Sequence, residues 1–555
     1  MKKDKKSKKQ ETAKLPVRQR KLILAAMAGI TILSFILNII GISWGSTGYI
    51  PWHDDSIAGI TTVREMPRLG GDWTYKYPPL QFMINSVFYK PLLKKWEQNP
   101  ITVQMPDGRT ARQALSYDRI NVLILISNFI SAIMAAAVVI AVYQTVKVLF
   151  DDPLAGVFSS LTVALCQLFV LFGHLGNVDT PATFWFAFGV MFIVKAVCKN
   201  KWRYYILTGI CFALSVSTKD SMPNYIFGSA IAAAVMIVTN KAGQNGLKKA
   251  FAGLFDLKII IAIIIFIFIY LIVNGVFSNP EGFIKRFSFW LKEVKTDKWD
   301  SNFTGQWPLL FQTLGLLAGG YGWPLIGVIF ISMIYCFIRY KQKALIAILP
   351  LLTFYLIVTV NVRFVHDRYL LPISSCLAFA AGKGIADWLR WKKLPMFCRV
   401  LPVAIIYALS LLYCIGLDLE LRNDSRYAAE EWFVKNVRPN EHIAVLCDIR
   451  WSPRLHLTNL NFSYRRSYNN IGGTTADVLQ INPAYPKYIC VLANHLKIFA
   501  PAFRQQLTDG TLGYKQVKVF DNKYLYPKLN IYSLAGWGIA RPHFISPDVL
   551  VFEKQ

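Results

Sequence analysis

The chain has 555 residues, of which 54% are hydrophobic and 14% aromatic, and a formal net charge of +29. Its apolar runs approach the ~20 residues that a helix needs to cross a hydrocarbon core, which excludes an ordinary soluble protein. The Lys and Arg residues sit in short loops between those runs, so the charge reports orientation and not a polyanionic ligand; nucleic acid is excluded as the partner.

In chain order, residues 1–21 read as a disordered basic tail, an orientation signal that also suits anionic lipid headgroups. The run at 22–42 is full length and no small-residue cleavage site follows it. A retained first span with a cytoplasmic amino terminus is therefore expected. Further spans are expected near 119–149, 154–173, 180–198, 203–218, 222–240, 257–278, 323–340, 344–362, 372–389 and 399–417, about eleven in all. That arrangement puts the basic loops around Lys199, Lys248, Lys341 and Lys392 on the side of the tail. The opposite, outer side receives residues 43–118, the turns near 174–179 and 217–221, residues 279–322, the turn 363–371 and everything from Asp418.

Within the first outer loop, Leu80 to Leu93 form a mostly apolar helix surface, broken at Pro91 and expected to lie along the interface. A second amphipathic helix is expected after residue 279, with Phe283, Phe287, Leu291 and Val294 opposite Lys285, Arg286, Lys292 and Lys295. From about 418 the periodicity changes. A helix from Tyr427 to Val437 and strands at 442–447, 488–492, 515–520 and 549–552 predict a small extracytoplasmic α/β domain over 418–555, beyond a transmembrane domain at 22–417. Most cysteines lie in or beside apolar runs and read as small buried hydrophobes. A bridge between Cys447 and Cys490 is compatible with their strands but is not indicated by spacing.

The residues with chemical potential collect on the outer side. Trp52-His53-Asp54-Asp55-Ser56 places two adjacent carboxylates just past the first span, a costly position near lipid unless they meet water, a cation or a partner. Arg64 and Lys76 follow in the same loop, before Tyr77-Pro78-Pro79-Leu80. Asn177-Val178-Asp179-Thr180-Pro181 joins two spans with His174 just before it; helix capping explains Asp179 as well as function does. Ser217-Thr218-Lys219-Asp220 sets a cation beside a carboxylate, which a snorkelling Lys paired with its neighbour also explains. His366-Asp367-Arg368-Tyr369 closes the set, with Arg363 and Arg368 as alternative structural partners of Asp367. Carboxylates can take a proton from an acceptor hydroxyl, and Arg and Lys can hold a phosphate as it departs.

These residues, in this order, resemble the GT-C superfamily of integral-membrane glycosyltransferases, in particular the protein O-mannosyltransferase and lipid A aminoarabinose transferase families. The resemblance rests on Asp54-Asp55, Arg64-Glu65-Met66, Asp72-Trp73 with Tyr77-Pro78-Pro79-Leu80, Asn177 to Pro181, Ser217-Thr218-Lys219 and His366 to Pro372. The chain departs from the pattern at Asp55, where the family has Glu, and at Tyr77, where the aminoarabinose class has Lys before Pro-Pro.

The resemblance implies transfer of a sugar, with inversion, from a polyprenyl-phosphate donor to an acceptor hydroxyl of a protein, lipid or glycan, at the outer face of a cell membrane. Asp54 is the expected base, with Asp55 and Asp179 orienting acceptor or base. Lys219, Arg368, Lys76 and Arg64 are the expected phosphate ligands, and His174, His366 and Tyr369 are further site candidates. No cofactor is required on this reading; a divalent metal is compatible with the carboxylates, but no ligand spacing demands one. The rival reading is a transporter or flippase of a lipid-linked or anionic solute that uses the same charges without chemistry.

Overall fold

The computed structural model describes residues 16–46, 52, 53, 56–70, 73, 75–104, 110–245, 252–295, 305–363, 365–447, 451–464, 486–496, 499, 501–521 and 545–555. Most of the basic tail, together with Asp54, Asp55 and Asp72, lies outside the described residues.

A backbone segment in lipid must satisfy its own peptide groups, and a helix does so within a single segment. Among the described residues eight helices are long and apolar enough to cross a membrane: Val17–Leu37, Tyr117–Phe150, Asp179–Lys199, Met222–Asn240, Trp323–Lys343, Leu345–Val362, Asp367–Arg390 and Met396–Asn436. The run expected at 154–173 is a bent pair, Pro153–Ala164 and Gln167–Gly173, meeting at 57°. The runs at 203–218 and 257–278 are the shorter helices Trp202–Val216 and Leu257–Val273, of 15 and 17 residues. Each predicted run thus has its helix, although length and composition qualify eight as spans, or nine with the bent pair, and not eleven. One further apolar helix, Gln306–Tyr321, occupies part of what reads from sequence as an outer loop.

The bundle packs around Leu371–Arg390, which is buried along most of its length. Close approach is possible there because Gly382 has no side chain: a Cβ would lie 2.1 Å from Ser159 Oγ. At the carboxyl end of this helix, Asp152 caps Pro153–Ala164 through the Leu154 and Ala155 amides. Its carboxylate also accepts from Lys383 at 3.0 Å and Arg390 at 2.7 Å. At 1.5 Å per residue, Lys383 and Arg390 lie about 18 and 29 Å along the helix from Leu371, just after Arg368. The outward surface of Leu257–Val273 is apolar, with Ile263, Ile264 and Phe268 exposed, as expected of a face turned to lipid.

In the loop after the first span, the helix Leu80–Gln98 runs through Pro91 without breaking. Proline removes only the bond to the Val87 carbonyl, and Val87 lies on an exposed face. A two-stranded antiparallel hairpin follows, β1 (Ile101–Gln104) and β2 (Thr110–Gln113). The sequence reading missed it, although Asp107-Gly108 between the two strands is a hairpin signal.

The amphipathic helix expected after residue 279 is Pro280–Lys295. Arg286 is buried and binds both Asp220 oxygens, at 2.8 and 2.9 Å, while Phe287 is exposed. A desolvated guanidinium needs its partner inside, and an exposed ring suits a lipid-facing surface.

Beyond the helix Met396–Arg422 come the helix Ser425–Asn436 and a five-stranded sheet in the order β4-β3-β5-β7-β6. The strands are β3 (His442–Val445), β4 (Asn461–Tyr464), β5 (Tyr488–Leu492), β6 (Tyr514–Phe520) and β7 (Val549–Lys554). β3 is parallel to β4 and β5, and β7 is antiparallel to β5 and β6. Residues of alternating parity in β3 and β5 feed two apolar cores, one on each face of the sheet. Cys447 and Cys490 are both buried and no disulfide joins them, and burial pushes the Cys490 thiol well above its usual range.

Candidate active site

Chain direction places these motifs together. Asp179 opens the helix Asp179–Lys199, the helix Trp202–Val216 returns to Ser217-Thr218-Lys219, and Arg368 precedes Leu371–Arg390. All three motifs therefore sit at the same end of the bundle.

Lys219 Nζ donates to Asp179 Oδ1, and both side chains are nearly buried, at 11% and 3% exposed. The same ammonium lies 4.6 Å from the Tyr369 ring centroid, and Arg368 Cζ lies 5.4 Å from that ring on its own account. Tyr369 is held from behind: its carbonyl accepts from Tyr225 Oη at 2.6 Å, and the Tyr225 ring stacks on Phe354 at 4.5 Å. Two cations thus share one aromatic ring, and Asp179 is the counterion of Lys219.

The capping explanation of Asp179 gives way to this contact. The helix begins at Asp179 itself, Val178 precedes it with no side-chain cap, and the Asp179 carboxylate is engaged by Lys219. Nor does Lys219 pair with its sequence neighbour, because Asp220 is taken by Arg286. Arg286 also donates to Asn274 Oδ1 at 3.1 Å, and Asn274 Nδ2 donates to Ser217 Oγ at 3.1 Å, so the Lys219 turn is fixed from both sides. The sequence held no signal that singled Arg286 out from Lys285.

Asp367 accepts from the Arg368 amide at 2.8 Å and contacts the His366 ring, so His366 and Asp367 shape the turn that presents Arg368. His174 belongs elsewhere. It is buried, with its ring nitrogens 2.6 Å from the Val170 and Ile40 carbonyls and Nε2 3.8 Å from Asp418, a bridge between the first and last spans. Arg64 is exposed on the helix Ile60–Glu65, where Glu65 pairs with Arg68 instead. Lys76 is exposed, with Nζ 5.0 Å from the Tyr77 ring centroid.

The loop after the first span is tied to this end of the bundle on both sides of the acidic pair. Ser56 Oγ and the Ile57 amide both donate to the Gly176 carbonyl, at 3.3 and 3.0 Å, and the Leu80 amide donates to the Ser217 carbonyl at 3.1 Å. His53 packs edge-on to Phe172. Ser56 and Ile57, just after Asp54-Asp55, therefore touch the turn that presents Asp179, and Leu80, farther along the loop, touches the turn that presents Lys219. Among the described residues no group of three or more His, Cys, Asp or Glu is arranged to hold a metal ion.

Residues 120–270 match the family model described as Dolichyl-phosphate-mannose-protein mannosyltransferase. This bears out the resemblance to GT-C glycosyltransferases, and the matched segment contains Asp179 and Lys219. No curated protein matches the chain. Among solved structures, ArnT from Cupriavidus metallidurans bound to undecaprenyl phosphate is 12% identical, covering 96% of this chain and 98% of its own, at a TM-score of 0.48. The archaeal oligosaccharyltransferase AglB from Archaeoglobus fulgidus, in complex with an inhibitory peptide and a dolichol-phosphate, is 11% identical, covering 97% and 89%, at 0.44. The Saccharomyces cerevisiae Pmt1-Pmt2 complex bound to the sugar donor is 14% identical over 47% of this chain and 34% of its own, at 0.33. Similarity of this size carries no residue assignments.

Proposed function

We propose that the chain is a glycosyltransferase that moves a sugar from a polyprenyl-phosphate donor to an acceptor hydroxyl, with inversion, on the outer face of the membrane. The observation that carries this reading is the pairing of Lys219 with Asp179 over Tyr369, with Arg368 at the same ring. An ammonium has three N–H donors. Asp179 takes one, and the others suit the oxygens of a lipid phosphate, whose remaining charge Arg368 meets with its planar fork.

In this reading Asp54 removes the acceptor proton as the hydroxyl attacks the anomeric carbon, and the bond to phosphate breaks on the opposite face. The electron pair leaves with the lipid phosphate, whose charge Lys219 and Arg368 stabilise. Asp55 orients the acceptor. Asp179 holds Lys219 in place, a narrower role than orienting the acceptor. Lys76 and Arg64, being exposed, suit the headgroup region at the mouth of the site. The domain division at 22–417 and 418–555, the outer placement of the site and the cytoplasmic amino terminus belong to the same reading.

The test is transfer of sugar by purified protein in detergent, with no gradient, from a panel of polyprenyl-phosphate sugars to hydroxyl acceptors. Sugar appearing on an acceptor, with release of polyprenyl phosphate, supports the proposal. Donor binding without transfer across the panel would overturn it in favour of transport.

A further inference from the structure

Trp52 and Arg426 are the two largest side chains among the fully buried described residues, and they touch each other. The Arg426 guanidinium carbon lies 3.5 Å from the Trp52 ring centroid. Arg426 also forks onto Asp424, with Nε to Oδ1 at 2.9 Å and Nη2 to Oδ2 at 2.7 Å, and both side chains of this pair are fully buried. Asp424 Oδ2 further accepts from Trp44 Nε1 at 2.9 Å and from the Ser546 amide at 2.8 Å. Trp52 Nε1 donates to the Ser452 carbonyl at 3.1 Å.

The backbone repeats the connection. The Trp52 amide donates to the Gly45 carbonyl at 3.2 Å, and Gly45 holds a φ of +67° where a Cβ would come within 2.9 Å of Trp52 Cβ, so only glycine suits that approach. Arg454, paired with Glu430, donates to the Ser46 carbonyl at 3.0 Å. The residue two positions before Asp54 is thus anchored in the carboxy-terminal segment, while Ser56 and Ile57, just after Asp55, are anchored on Gly176 of the bundle. Between the anchors, the Ser56 amide donates to the His53 carbonyl at 3.2 Å.

Apolar side chains of similar volume would join the two parts without desolvating a charge pair. A guanidinium forked on a carboxylate and stacked on an indole adds orientation, because each of its contacts is directional. We propose that Asp424, Arg426 and Trp52 form a clamp through which the carboxy-terminal segment sets the position of the acidic stretch, making Trp52 and Arg426 positioning residues for transfer. This rests on the transferase reading with Asp54 as base.

The test uses Trp52→Leu and Trp52→Phe in the full chain, leaving the Asp424 and Arg426 pair intact. Trp52→Leu is expected to lower kcat by about 10- to 100-fold, the scale of a misplaced reacting group, and to lower the melting temperature through the cavity it leaves, with donor affinity close to wild type. Trp52→Phe keeps an aromatic face for Arg426 and is expected to restore most of the turnover. Hydrogen exchange at the Trp52 and Ser56 amides, followed without substrate, should quicken in Trp52→Leu. Wild-type kcat in Trp52→Leu overturns the clamp, as does a parallel fall of kcat, donor affinity and melting temperature in both variants, the mark of a core residue. Should wild-type protein transfer nothing, the transferase reading fails, and unchanged amide exchange in Trp52→Leu then overturns the clamp by itself.

Discussion

Lys219 and Asp179, 40 residues apart and on different turns, form a buried ion pair resting on the face of Tyr369. Its two members are not equivalent. Asp179 lies at a helix amino terminus, where the aligned peptide dipoles favour a negative charge, whereas Lys219 has the carboxylate and the ring to offset its desolvation.

That asymmetry predicts the outcome of a double-mutant cycle. Asp179→Asn should destabilise the protein by up to about 3–5 kcal/mol, the range seen when one partner of a buried pair is removed. Lys219→Met should cost less, because the helix terminus still supports the carboxylate. The double substitution should fall short of the sum. Thermal unfolding of all four proteins in one detergent checks this, and strict additivity would mean that the pair contributes no coupling.

Donor affinity reports on the cations separately. Lys219→Met and Arg368→Gln should each weaken polyprenyl-phosphate binding by about 10- to 100-fold, the equivalent of one charge-assisted hydrogen bond, and leave acceptor affinity nearly unchanged. Titration with the lipid phosphate alone measures it. Wild-type affinity in both variants would return the two residues to a purely structural role.

Asp54→Asn keeps size and hydrogen bonding but cannot take a proton. If Asp54 is the base, turnover at saturating donor and acceptor should fall by on the order of 10²–10⁴, with folding and donor binding preserved. Asp55→Asn should fall less. An Asp54→Asn enzyme with near wild-type turnover would move the assignment to Asp55.

Sidedness is open to labelling in intact cells. Asp509 and Gly510 lie in an exposed turn of the carboxy-terminal segment, so a single cysteine there should react with an impermeant reagent from outside, and one at residue 5 should not. The reverse pattern would put the Lys219 cluster on the cytoplasmic side.

Sequence by itself determined the class and the helices, because the requirement that a lipid-embedded backbone satisfy its own hydrogen bonds is written into run length and composition. It also marked strands such as Tyr488–Leu492, whose β-branched and aromatic residues declare themselves locally, and it singled out Asp179, Lys219 and Arg368 by position at the ends of apolar runs. What it could not supply was pairing. Nothing local to Asp179 separates a helix cap from a partner of Lys219, and nothing local to Arg286 separates a lipid-edge cation from a buried clamp on Asp220. Likewise the sequence placed Trp52 beside Asp54 but gave no hint that Arg426 covers its ring from 374 positions away. Desolvated charges are stabilised by whichever opposite charge the packed helices bring near, and that choice exists only once tertiary structure has formed.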